Sequence, residues 1–337
     1  MNTISISGYH MREAGATAAQ TIAFTFSNAI AYMNLGIEAG LDLDTFVRRF
    51  TFLTFGGSME IFLEVASRRA ARRVWAKIMK ERFKAKSPRS WILRDLGAVS
   101  TACAATVQRP LNNLTRSILG GVASALIGDL PACHPPYDEA LGLGWSSEAY
   151  QLSEDATKIL LHEANLCEVV DPLAGSYYVE SLTDKFESEI WGIINKIDAM
   201  GGAAVAIEKG YMQQEIANSA YQHQREIETG ERVIVGVNKF TGPDELEVTT
   251  TRLVPLPYDP AKRAAAEELQ ITKLAQVKST RDNKAVDVSL KRLKEAALDE
   301  SVNIIPPILE AVNAYATIGE MCNVLRDVFG EYEMRGQ

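Results

Sequence analysis

The chain has 337 residues, 47% of them apolar and 23% charged, with a formal net charge of −8. That balance predicts a folded globular protein, large enough for one big domain or two ordinary ones. Its negative charge argues against nonspecific nucleic-acid binding, and no run of 18 or more apolar residues is present to cross a membrane. Met1-Asn2-Thr3-Ile4-Ser5-Ile6-Ser7 has neither a basic n-region nor a long apolar core, so it does not read as a signal peptide, and the expected compartment is the cytoplasm. Cys103, Cys133, Cys167 and Cys322 lie far apart with no CxxC pair, and His10, His134, His162 and His223 are equally scattered. Reduced, unpaired thiols and no metal site are expected.

Taken in chain order, the first 130 or so residues alternate short β-like runs with longer helical ones. Residues 4–9 form a strand candidate. Ile22, Phe26, Ile30, Met33 and Ile37 then recur at helical spacing, with Gly36 and Gly40 as stop signals. Residues 49–55 are rich in β-formers and end at Gly56-Gly57. A helix over about 58–83 follows, then a third strand at 91–93. Asn112 is a candidate cap for a helix with Leu114, Ile118, Val122, Ala125 and Leu126 on one face. A weak fourth strand is expected near 130–133, and Ser146 or Ser147 starts a helix with Leu152, Ala156, Ile159, Leu160 and Ala164 inward.

Four βα units in series imply a parallel sheet with right-handed helical crossovers, curved like the second half of a (β/α)8 TIM barrel. Half a barrel leaves unpaired strand edges and an open interior, so the piece calls for a partner or a self-dimer. Residues 172–240 read as mostly helical, with a short β-like run at 233–235. The proline-spaced stretch around 241–260 marks a boundary, dividing a half-barrel region with trailing helices (1–240) from a linker and helical extension (241–337), a candidate partner-docking region. Thr317-Ile318-Gly319-Glu320 fits a capping box for the last helix.

No GxGxxG, P-loop, HExxH or GxSxG motif occurs. Tyr9-His10 falls where the first strand ends, the rim at which barrels build their sites. Arg68, Arg69, Arg72 and Arg73 spread around one helix and read as a solvated or ion-paired face, and Tyr177-Tyr178 reads as packing.

Several segments carry a specific resemblance. Ser5-Ile6-Ser7-Gly8-Tyr9-His10-Met11-Arg12-Glu13-Ala14-Gly15-Ala16-Thr17 is the first. Arg69-Ala70-Ala71-Arg72 before Trp75, Pro88-Arg89-Ser90, Asn112-Asn113 and Asp138-Glu139-Ala140-Leu141 follow in order. The last are the stretch from Val170-Asp171-Pro172 to Tyr178-Val179-Glu180, and Gly230-Glu231-Arg232-Val233-Ile234-Val235-Gly236-Val237-Asn238-Lys239-Phe240. Across essentially the whole chain, the sequence resembles the methylmalonyl-CoA mutase family. The resemblance implies an enzyme that threads an acyl-CoA through a (β/α)8 barrel. Adenosylcobalamin would lie against the rim and supply a radical that rearranges the carbon skeleton of the acyl-CoA. Carried over position by position, it implies that His10 hydrogen-bonds the thioester carbonyl and that Tyr9 lines the same pocket. It further implies that Glu13 and Glu139 face the cofactor, and that Arg49 and Thr51 contact CoA.

The resemblance also exposes departures. The family's N-terminal half-barrel has no counterpart here, and no Asp-x-His-x-x-Gly loop is present for cobalt. The expected partners are therefore an N-terminal half-barrel mutase subunit and a small cobalamin-binding subunit, with acyl-CoA as substrate. A polar His/Gln stretch of the family is replaced by Asp95-Leu96-Gly97-Ala98-Val99-Ser100, and a His-Thr-Asn by Cys133-His134-Pro135-Pro136-Tyr137. Lost polar groups and the gain of Tyr137 favour a bulkier acyl group than that of methylmalonyl-CoA. The rival reading is a noncatalytic, barrel-completing or assembly protein derived from such a mutase.

Overall fold

A computed structural model describes residues 4–53, 59–95, 105–142, 145–242 and 260–331. The chain divides into two compact units, Met1–Pro255 and Leu256–Arg335.

In the first unit β1 (Ile4–Ser7) and β2 (Phe50–Leu53) pair in parallel, Ile4 opposite Phe50 and Ser7 opposite Leu53. Parallel strands need a long crossover. Here it consists of α1 (Tyr9–Glu13), α2 (Ala18–Glu38) and α3 (Leu43–Phe46). Thr17 starts α2 with a capping box, its side chain accepting from Gln20 N while the Gln20 side chain accepts from Thr17 N. Ile22, Phe26, Ile30 and Met33 are buried as their spacing predicts, whereas Ile37 is exposed because the core ends before the last turn.

The sheet has two unequal faces. Ile6, Phe50 and Phe52 alternate onto α2 and α4 (Ile61–Lys77), where Phe26, Phe52 and Trp75 form an aromatic cluster with ring centroids 4.9–5.8 Å apart. On the opposite face Ser5, Ser7, Thr51 and Leu53 are only partly covered. A parallel sheet is normally buried on both sides.

The helices of all four expected βα units are present: α2, α4, α5 (Asn112–Leu126) and α6 (Ser147–His162). The third and fourth strands are not formed among the described residues. At 88–90 the chain makes a 3-10 turn, and the Trp91 indole is pinned to Ala85 O at 3.0 Å. A third strand survives only as a bridge from Phe52 to Asp95, with Phe52 N donating to Arg94 O at 2.8 Å. Residues 130–133 stay irregular because Pro131, with Pro135 and Pro136 close behind, has no N–H to give a ladder. The altered stretch at 96–100 and Cys103 lie outside the described residues.

Asn112 opens α5 rather than capping it, since Leu111 holds the cap position. Ser146 does cap α6, accepting from Ala149 N at 3.1 Å. The trailing helices are α7 (Tyr177–Met200), α8 (Ala203–Glu208) and α9 (Tyr211–Thr229), and the β-like run at 233–235 reduces to one bridge, Val235 to Lys239. Along α7, Ile190 and Ile194 join the core of α2 and α4.

Among the described residues the second unit has four helices: α10 (Pro260–Thr280), α11 (Asn283–Ala297), α12 (Ile305–Asn313) and α13 (Ile318–Phe329). The last three close on Leu293, Ala311 and Met321. The capping box at Thr317 and Glu320 forms as its sequence predicts, and Arg281 reaches the same carboxylate at 2.6 Å. Cys133, Cys167 and Cys322 are free thiols. No helix among the described residues is long and apolar enough to cross a membrane.

Candidate functional site

Six side chains carry the expectation of a site, and the fold assigns them to two ends of one sheet. β1 ends at Ser7, and Gly8 turns the chain at once into α1. The residue must be glycine for space: a Cβ there would lie 2.4 Å from Thr25 Oγ1 and 2.8 Å from Thr21 Cγ2 of α2. Gly8 N donates to Leu53 O at 2.8 Å, which locks this turn to the C-terminal end of β2. Tyr9 and His10 are thereby placed in the first helical turn beyond the strand, their rings edge-to-face at 5.6 Å. His10 is exposed, with Nδ1 3.4 Å from Ser7 Oγ.

Behind α1 stands α9. Gly15 has a left-handed φ of +105° and lies so close to Ala220 that a Cβ would come within 2.5 Å of its methyl. Ser219 Oγ donates to Gly15 O at 2.8 Å, and Arg12 Nη1 donates to Ala16 O at 2.6 Å. These contacts fix the end of α1, where Glu13 sits.

Glu139 opens a short 3-10 turn, Glu139–Leu141, directly after Asp138. Asp138 is buried, and its Oδ2 accepts from Ser146 N at 2.8 Å. The Glu139 carboxyl is held above its ordinary value, first by burial and further by the negative charges of Glu13 and Asp138, while His134 pulls it the other way. The Glu13 charge reaches Glu139, so α1 and the turn after Asp138 lie within electrostatic range of each other. His134 Nε2 lies 3.2 Å from Glu154 Oε1.

Arg49 and Thr51 are elsewhere. Arg49 ends the 3-10 turn Val47–Arg49, just before β2, and is exposed. Thr51, inside β2 opposite Ser5, donates its hydroxyl to Ile4 O at 3.3 Å. At about 3.3 Å per residue, Arg49 is roughly 15 Å along the sheet from the turn that carries His10. The structure carries Tyr9, His10 and Glu13 together on α1, sets Glu139 within electrostatic range of Glu13, and leaves Arg49 at the other end of the sheet.

Two features went unread in the sequence. Asn113, Arg116 and Ser117 are buried polar residues on α5. Only the pair Asn112-Asn113 signalled them, as part of a longer resemblance. A cavity of about 960 Å³, walled in part by Met59, Glu60, Arg116, His223, Glu226 and Arg232, touches none of the six predicted residues. There His223 is held below its ordinary value, first by burial and then by Arg232. Tyr137, whose presence was read as favouring a bulkier acyl group, is buried. The arginines of α4 are ion-paired as expected, Arg68 and Arg72 with Asp129, Arg69 with Asp171 and Glu180, and Arg73 with Glu180 and Asp184. Tyr177, read as packing, is 96% exposed, while Tyr178 stacks edge-on against Phe62.

Comparison with known proteins places these elements. A sequence model of the family described as "Methylmalonyl-CoA mutase" matches residues 1–331. Methylmalonyl-CoA mutase of Escherichia coli is 38% identical over 336 residues, covering 100% of this chain and 45% of that protein. A probable mitochondrial methylmalonyl-CoA mutase of Caenorhabditis elegans is 37% identical over 98% of this chain and 43% of its own length. The large subunit of 2-hydroxyisobutanoyl-CoA mutase of Aquincola tertiaricarbonis is 36% identical over 98% of this chain and 57% of its own length. The chain thus spans about half the length of the curated relatives it matches.

Proposed function

Since the chain belongs to the methylmalonyl-CoA mutase family, we propose that it is the catalytic second half-barrel of an adenosylcobalamin-dependent acyl-CoA mutase. It works in the cytoplasm, within an assembly. A partner polypeptide supplies the first half-barrel, and a cobalamin-binding subunit supplies the cofactor. The observation that carries this reading is the placement of Tyr9, His10 and Glu13 on α1, directly beyond the C-terminal end of β1 and within electrostatic range of Glu139, the end at which barrel enzymes place their chemistry.

The half-covered sheet face supports the partner. Among the described residues β1 pairs with β2 alone, and Ser5, Ser7 and Thr51 on the open face are small and polar. An extended ligand lying along that face would meet Arg49 at one end and His10 at the other. Acyl-CoA has that shape, with phosphates for the guanidinium and a thioester carbonyl for the imidazole.

Adenosylcobalamin fits the rim through its hydroxyl groups. Glu139, whose carboxyl burial holds above its ordinary value, and Glu13 are the side chains that would meet them. The cofactor, when bound, supplies hydrogen-atom abstraction from the substrate. The chain's own contribution is to orient the thioester through His10, to pack Tyr9 against the reacting group, and to exclude water. The substrate is of the methylmalonyl-CoA/succinyl-CoA type or a bulkier, branched analogue, a choice that the similarity to a 2-hydroxyisobutanoyl-CoA mutase large subunit keeps open.

The test is co-expression with an N-terminal half-mutase and a cobalamin-binding subunit, then assay of turnover on linear and branched acyl-CoAs. His10→Ala is expected to lower kcat by about 100-fold, the scale for losing one preorganised donor to a developing charge. A complex that forms yet binds neither cobalamin nor acyl-CoA overturns the reading, and normal turnover by His10→Ala removes His10 from its role.

A further inference from the structure

The turn that carries Glu139 has electrostatic reason to move away. Its carboxyl is half-buried and faces the charges of Glu13 and Asp138. Mutual repulsion and the cost of desolvation both favour swinging it into water. The approach to the turn has few backbone donors, because Pro131, Pro135 and Pro136 have no N–H and the expected strand at 130–133 is absent; upstream, Cys133 N donates to the Thr157 hydroxyl at 3.0 Å. Buried carbonyls left there need donors from another element.

Those donors come from α5. Asn113 and Ser117, one helical turn apart and each 2% exposed, lie on the face that meets this segment. Asn113 Nδ2 donates to Tyr137 O at 2.9 Å, and Ser117 Oγ donates to Pro135 O at 3.0 Å. Asn113 is itself held from behind. Its Oδ1 accepts from Thr106 N at 3.0 Å and from Arg116 Nη1 at 2.7 Å, while Arg116 Nη2 donates to Val235 O at 3.0 Å. The second N–H of Asn113 Nδ2 donates to Thr106 O at 2.8 Å, so both donors and both acceptor sites of the amide are engaged, which fixes its orientation.

We infer that Asn113 and Ser117 are positioning residues that clamp the backbone at 135–137 and so hold Glu139 at the rim beside Glu13. They stand in for the ladder that a fourth strand would have provided. The catalytic consequence rests on the proposed mutase reading, but the clamp does not.

The experiment is carboxyl footprinting of the full-length chain, with a water-soluble carbodiimide and a glycine ester, on wild type, Asn113→Ala, Ser117→Ala and Ser117→Thr. The expected result is several-fold higher labelling of Glu139 in both alanine variants, wild-type labelling in Ser117→Thr, and unchanged labelling of Glu180 and Glu320. Unchanged Glu139 labelling in a folded Ser117→Ala overturns the clamp, and that milder variant decides the matter if Asn113→Ala unfolds. In the reconstituted complex Ser117→Ala should lower kcat about tenfold with KM for acyl-CoA unchanged, the pattern of a misplaced reacting group. Raised labelling with normal kcat overturns the link from clamp to chemistry. A wild-type complex without turnover fails the mutase reading instead, and the footprint still decides the clamp.

Discussion

The position of His10 is decided by a residue that does no chemistry. Gly8 passes so near α2 that a methyl group would strike Thr21 and Thr25, both buried in the helix. Its φ of −92° and ψ of −14° suit any residue, so the constraint is steric alone. Gly8→Ala should therefore destabilise the fold by about 1–3 kcal/mol, the usual cost of overpacking a filled site. Denaturant midpoints measure this, and an unchanged midpoint would show that α1 can retreat freely. The motif around Tyr9-His10 was legible in the sequence because its residues are contiguous. Thr21 and Thr25 were not, since nothing local says that a threonine of a following helix roofs the turn. Asn113 and Ser117 escaped for the same reason: buried amide and hydroxyl groups are explained only by the carbonyls they meet, 24 and 18 residues away in sequence.

At the scale of elements, helices outlast strands. A helix satisfies its backbone within itself, so a stripe of apolar residues and a cap suffice to define it. The capping boxes at Thr17 and Thr317 and the cap at Ser146 form where such signals stand. A strand needs a neighbour, and residues 91–93 and 130–133 find none among the described residues. Within the second unit, the start of α13 is bound to the loop after α10 by the Arg281–Glu320 pair at 2.6–2.8 Å. The Arg281 guanidinium, aided by Thr317 N and its hydroxyl, holds the Glu320 carboxyl down at about 2, below its ordinary 4.5. A depressed folded-state value stabilises at pH above the unfolded value and is lost as acid titrates the folded group. The stability difference between wild type and Arg281→Met should thus be full above about pH 5 and should vanish as the pH falls toward about 2. Thermal melts across that range check it, and a difference that persists undiminished at the acid end would assign the effect to packing of the arginine stem.

At the scale of the molecule, the first unit is asymmetric. One face of its sheet is packed by Phe26, Phe52 and Trp75, and the other presents Ser5, Ser7 and Thr51 with partial cover. Gly8 N points to β2, so by alternation the Ser5 and Ser7 amides point to the free edge of β1; if a partner half-barrel pairs there, their exchange should be fast in the isolated chain and slow sharply in the complex. Protection already present in the isolated chain would point to closure by the chain itself. Local patterning in the sequence determined the helices, the caps at Ser146 and Thr317 though not the one at Asn112, and the strand-to-helix placement of Tyr9 and His10. Its contiguous motifs determined the family. Tertiary structure alone decided that Glu139 feels the charge of Glu13, that Arg49 stands at the far end of the sheet, and that side chains of α5 bind the backbone at 135–137. The division follows from range. Periodicity and capping act over a few residues and are written in order along the chain, whereas electrostatic coupling and side-chain anchorage depend on which distant segments packing brings into contact.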